Sequence, residues 1–153
     1  MSPLLLIDGN SLTYRAFFAL PADMVTSSGQ VTNAVFGFAS MLAALVRDHD
    51  PRGVAVAFDL PGPTFRHEKL AEYKANRERQ PDILYEQLDL VRELVMALGL
   101  RAVEAEGFEA DDVIATLATM ARDGGREVLV ITGDRDAYQL VEDPHIRVLY
   151  NKR

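Results

Sequence analysis

Cysteine is absent from this 153-residue chain. That excludes disulfides, thiolate nucleophiles and cysteine-based metal sites, and it suits a reducing cytoplasm, the expected compartment. Histidine is scarce, with only His49, His67 and His145. None of them stands with Ser11 and an acid at a spacing that builds a hydrolase triad, so all three are expected on the surface or in loops. No basic leader precedes the first apolar run, Leu4-Leu5-Leu6-Ile7, which is itself too short for a signal sequence. The longest near-apolar stretch, 34–46, is too short to span a bilayer and reads as a buried helix. Repeats and low-complexity tracts are missing as well. Basic charge is in deficit, with 16 Lys and Arg against 23 Asp and Glu and a net charge of −7. Taken alone, that deficit argues against a nucleic-acid partner.

What the chain does contain is an ordinary apolar fraction of 48%, enough for the core of one domain. Strand and helix patterns alternate along it, which predicts an α/β fold built on an open, mostly parallel sheet with helices on both faces. Strands are expected at 4–8, 54–58, 101–103, 128–132 and 146–150. A short helical turn is expected at 12–19, then helices at 33–48, 82–98 (stopped by Gly99), 109–122 and, briefly, 137–141. The segment 64–80 is polar and weakly periodic. Within it Arg66, Lys69, Lys74, Arg77 and Arg79 outnumber three acids, so the acidic chain carries one locally basic stretch, suited to a phosphate-bearing substrate or to a plain solvated helix.

Seven carboxylates stand where strands of such a sheet end: Asp8, Asp59, Glu109, Asp111, Asp112, Asp134 and Asp136. The carboxyl ends of parallel strands line one crevice, so residues more than a hundred positions apart converge there. Like charges so gathered repel or hold protons unless cations neutralise them. An all-oxygen donor set prefers hard ions, Mg²⁺ with Mn²⁺ able to substitute. One acid at a helix start is explained by capping, but the run Glu109-Ala110-Asp111-Asp112 offers more than a cap is expected to need. So many oxygens suit a pair of ions, about 3.5–4 Å apart, of the kind that serves phosphoryl chemistry.

These acids lie in a longer pattern: Ile7-Asp8-Gly9-Asn10-Ser11 with Tyr14-Arg15-Ala16-Phe17, Phe58-Asp59, Phe65-Arg66-His67, Tyr73-Lys74-Ala75-Asn76-Arg77, Gly107-Phe108-Glu109-Ala110-Asp111-Asp112 and Thr132-Gly133-Asp134-Arg135-Asp136. In order and through nearly the whole chain, it resembles the N-terminal 5′-nuclease (5′-3′ exonuclease) domains of bacterial DNA polymerases I. These belong to the flap-endonuclease family, with its PIN-like, resolvase-like α/β fold. The resemblance implies a structure-specific nuclease that hydrolyses DNA phosphodiesters with two Mg²⁺ ions in replication and repair. Asp8, Asp59, Glu109 and Asp111 would serve the first ion, Asp111, Asp134 and Asp136 the second, and Asp112 both. It makes 64–80 part of a helical arch, with Lys74 at the scissile phosphate and Arg66 and Arg77 on DNA. Tyr14 and Arg15 would sit at the mouth, although Phe17, Phe18 and Tyr14 also fit a simple core role.

The partner so implied is DNA with a 5′ flap or 5′ end, bound by a monomer away from any membrane, with a polymerase domain covalently linked downstream. The family pattern continues past Arg153 with another acidic pair and a helix-hairpin-helix element. Residues 1–153 are therefore expected to be the N-terminal part of such a domain, and a catalytically incomplete fragment that binds metal and DNA without turnover is the alternative. A haloacid-dehalogenase phosphatase fits less well, because Asn10 stands where its second Asp belongs.

Overall fold

Strands buried on both faces read as unbroken apolar runs, and three of the five strands here are of that kind. In the computed structural model, which describes residues 2–59, 82–105, 107–133 and 146–150, the elements run β1 (Leu4–Asp8), α1 (Gly9–Ala19), α2 (Asn33–His49), β2 (Gly53–Ala57), α3 (Asp82–Ala97), β3 (Arg101–Val103), α4 (Ala110–Asp123), β4 (Val128–Thr132) and β5 (Ile146–Tyr150). All strand pairs are parallel, in the order β3-β2-β1-β4-β5. The chain builds outward from β1 to β3, then returns to lay β4 on the other side of β1. That reversal opens a crevice between the carboxyl ends of β1 and β4, the position where open α/β sheets bind ligands.

The period of two along β1 divides the core. Leu5 and Ile7 join Val56, Leu129 and Ile131 under Leu12, Phe38, Leu42, Val91 and Val95 of α1, α2 and α3. Leu6 points the other way, with Ala57, Val128 and Val130, against Val113, Ile114 and Ala118 of α4. Helices thus cover both faces, as the alternation of patterns predicts. Each such large side chain, removed from water, contributes about 1.5–3 kcal/mol. Among the described residues no helix is long and apolar enough to cross a membrane.

Two departures from the sequence expectation bear on the site. Helix α1 is not a short turn but 11 residues long, beginning directly at the end of β1. Asp8 caps it by accepting from the Ser11 N–H (3.1 Å), so the polar Gly9-Asn10-Ser11 forms its first turn instead of a loop. Gly9 permits this closeness, since a Cβ there would fall 2.6 Å from the Phe58 ring. Strand β2 is shifted back one residue, although the Phe58 N–H still donates to the Val103 carbonyl (2.9 Å). The arch at 64–80 and the brief helix at 137–141 lie outside the described residues.

A buried polar knot sets α3 against α1 and α2. Thr32, at the start of α2, makes no side-chain cap. The fully buried Gln87 of α3 supplies it instead, its Oε1 accepting from the Ala34 (2.7 Å) and Val35 (3.2 Å) N–H groups. Gln87 Nε2 donates to Asn33 Oδ1 (2.8 Å), and Asn33 Nδ2 donates to the Phe17 and Leu20 carbonyls. Replacing Gln87 by Leu strands these partners without water, so chemical denaturation should show a loss of about 2 kcal/mol. An unchanged midpoint would contradict this account of the α2 cap.

Candidate metal centre

Asp8 ends the central strand and is almost wholly buried, 5% exposed. One oxygen accepts from the Ser11 N–H and the other from the Thr132 hydroxyl at the end of β4 (3.2 Å). Burial, above all, pushes its carboxyl from the ordinary 3.8 up to about 6. The Ser11 N–H works against that rise, the neighbouring charge of Asp59 adds to it, and hydrogen bonds with Thr132 and the Asp111 side chain oppose it. A bound cation would offset the cost of ionising this buried carboxyl beside Asp59.

Asp59, just past β2, reaches from the neighbouring strand. Its Oδ1 accepts from the Ala110 N–H at the start of α4, and its own N–H donates to Asn10 Oδ1 (3.0 Å). On α4, Glu109 is buried at the N-cap and Asp112 Oδ2 accepts from the Glu109 N–H (2.9 Å), one half of a capping box. Capping therefore occupies two of the three acids, more than expected from the sequence. Asp111 is the one turned to Asp8. Both α1 and α4 also aim their N-termini at this rim, where helix ends favour negative charge.

Among the described residues no three acids close into a ready-made metal cage. Instead three of the acids each take a backbone N–H: Asp8 from Ser11, Asp59 from Ala110, Asp112 from Glu109. The donor chemistry fits hard divalent ions, and the elevated Asp8 carboxyl marks charge awaiting neutralisation. Asp134 and Asp136 lie outside the described residues, as do Arg66, Lys74 and Arg77 of the basic segment.

Of the expected DNA contacts, Tyr14 and Arg15 can be placed. Tyr14 is 45% exposed and Phe18, one turn on, 50%. Their rings meet at 4.7 Å, so only Phe17 takes the core role considered for all three. Arg15 is half-buried, and its Nη2 donates to the Gly133 carbonyl (3.2 Å). His49 closes α2, partly exposed, while His67 and His145 lie outside the described residues. Sequence reasoning gave no role to Asn10 or Thr132, which hold the acids in place. The signal for Asn10 was its position in the first turn after a capping acid.

Comparison with known proteins follows the same outline. Residues 3–153 match the family model described as 5′-3′ exonuclease, N-terminal resolvase-like domain. DNA polymerase I of Mycobacterium tuberculosis (strain ATCC 25618 / H37Rv) is 52% identical over 151 residues, which is 98% of this chain and 17% of that protein. DNA polymerase I of Bacillus caldotenax is 49% identical over 150 residues, again 98% and 17%. The chain thus spans about a sixth of the length of these relatives. Among solved structures, a T5 5′-exonuclease with bound zinc superposes with a TM-score of 0.77 at 24% identity, covering 97% of this chain and 55% of that one. Human GEN1 in complex with Holliday junction DNA gives 0.55 at 16% identity, over 97% and 34%. At these identities the two structures show a shared fold.

Proposed function

This chain belongs to the family of 5′-3′ exonuclease N-terminal, resolvase-like domains, and from that premise we propose that it forms the metal-binding part of a structure-specific 5′ nuclease. The substrate is DNA with a 5′ flap or a free 5′ end, and the reaction is hydrolysis of a phosphodiester in replication and repair. The observation that carries this reading is the gathering of Asp8, Asp59 and Asp111 at the carboxyl rim of the sheet, where Asp59 accepts from the first N–H of the helix that carries Asp111. Those three, with Glu109 and Asp112, and with Asp134 and Asp136 on the sequence pattern alone, are the proposed ligands of two Mg²⁺ ions. Such ions, when bound, lower the pKa of a coordinated water and neutralise charge building on the phosphate.

The chain's own residues do the rest. Asp8 and Asp59 supply fixed negative charge on neighbouring strands, so the ligand set is organised before DNA arrives. Tyr14 and Phe18 present an exposed aromatic pair on α1, on which an unpaired base can stack. Lys74, assigned by its place in the sequence motif, neutralises the scissile phosphate, with Arg66 and Arg77 holding the strand around it. The zinc-bound T5 5′-exonuclease of the same fold supports a divalent-metal site, and the relatives support attachment to a DNA polymerase. We place the protein in the cytoplasm, as a monomer.

Single-turnover incubation of the chain with a 5′-labelled flap and Mg²⁺ or Mn²⁺ should release short 5′ products, and chelation should stop it. Binding of flap and metal with no cleavage would identify a binding module instead.

A further inference from the structure

Helix α1 does more than lead away from Asp8. Ser11 Oγ accepts from the Gly133 N–H (2.8 Å), while Arg15 Nη2, one turn further along, donates to the Gly133 carbonyl (3.2 Å). Residue 133, just after β4, is thus gripped at both its N–H and its carbonyl by side chains from one face of α1. A Cβ at residue 133 would stand 2.7 Å from Ser11 Oγ and closer still to Arg15, so both gripping side chains would have to shift to admit it. On the other flank of the same helix, Asn10 Oδ1 accepts from the Asp59 N–H (3.0 Å). Each backbone so held adjoins Asp8: that of Asp59 itself, and that next to Thr132, whose hydroxyl donates to Asp8 (3.2 Å).

We propose that Asn10, Ser11 and Arg15 are positioning residues, which set the ends of β2 and β4, and with them Asp59 and the Asp8 partner Thr132, in register with Asp8 for metal binding. The inference rests on the nuclease reading above, but it assigns roles to residues that touch no metal. In particular it gives Arg15 a task within the protein in place of, or ahead of, contact with DNA. Groups that orient metal ligands alter metal affinity by about 10- to 100-fold when removed. Their loss acts on metal uptake more than on folding, because all three hydrogen bonds are only part-buried.

The test combines amide exchange in the metal-free chain with Mn²⁺ titration, comparing wild type, Ser11→Ala, Ser11→Thr, Asn10→Ala and Gly133→Ala. Ser11→Ala should accelerate exchange of the Gly133 amide but not that of Asp59, and Asn10→Ala the reverse. Ser11→Ala and Gly133→Ala should each weaken Mn²⁺ binding by about tenfold, although the second retains every hydrogen-bonding side chain. Ser11→Thr, which keeps the hydroxyl, should restore both readouts. Wild-type Mn²⁺ affinity in Ser11→Ala and Gly133→Ala, even with lowered thermal stability, overturns the proposal and leaves the nuclease reading standing. A wild-type chain that takes up no Mn²⁺ overturns both.

Discussion

Asp8→Asn should make the metal-free protein more stable at pH 8, by about 3 kcal/mol, while abolishing cleavage. The carboxyl of Asp8 sits at about 6 in the folded state against 3.8 ordinarily, so the folded protein holds this proton more tightly than the unfolded chain. The resulting stabilisation is fully present below about pH 4 and is lost as pH rises through 6, where the buried group must ionise beside Asp59. A rise of that size corresponds to about 3 kcal/mol, the amount by which ionised Asp8 weighs against folding above pH 7. Asparagine keeps an oxygen for the Ser11 N–H and carries no charge. The variant's stability should therefore stay flat between pH 4 and 8 where the wild type declines. Urea denaturation at several pH values in chelator reads this directly. Equal pH dependence for the two proteins would show that Asp8 is not the strained carboxyl. Adding Mg²⁺ should reverse the order, raising the wild type and leaving the variant unmoved.

Asp111→Ala is expected to lower single-turnover cleavage by at least about 10³-fold, corresponding to several kcal/mol of lost charge stabilisation, with folding nearly intact. The asymmetry follows from the first turn of α4. Glu109 and Asp112 close the capping box between them, so the helix start does not depend on Asp111. Asp112→Ala should behave differently, losing about 1 kcal/mol of stability through the cap together with activity. Asp134→Ala should match Asp111→Ala in cleavage. Wild-type turnover by either of that pair would remove it from the metal site.

The sheet was legible because strands covered on both faces must be apolar at every position. The runs ending in Ile7, Phe58 and Ile131 announced themselves for that reason, and the alternation with helices gave the mostly parallel sheet. Asp8, Asp59 and Asp134 were legible because each follows such a run, and Glu109, Asp111 and Asp112 because they crowd one helix start. The economy of the α4 start was not. Three acids exceeded what a single cap needs, but the sequence does not reveal that Asp112 bonds back to Glu109. Nor could it show that α1 begins at Gly9, since Gly-Asn-Ser reads as a turn until Asp8 is seen to cap it. Phe18 carries the same apolar signal as Phe17, yet lies on the helix flank facing water. The tertiary partners of Ser11 and Arg15, more than a hundred residues away at Gly133, leave no trace in local pattern.

Uptake of Mn²⁺, followed through loss of the free-ion electron paramagnetic resonance signal as pH is varied, tests most directly whether these acids act as one cation site. The account predicts two ions per chain at pH 8, with uptake falling as pH drops through about 6 and protons reclaim Asp8. It also predicts that an Asp59→Asn, Asp111→Asn double variant loses the ions while keeping its fold. No uptake by the wild type, or the same uptake by the double variant, would contradict it.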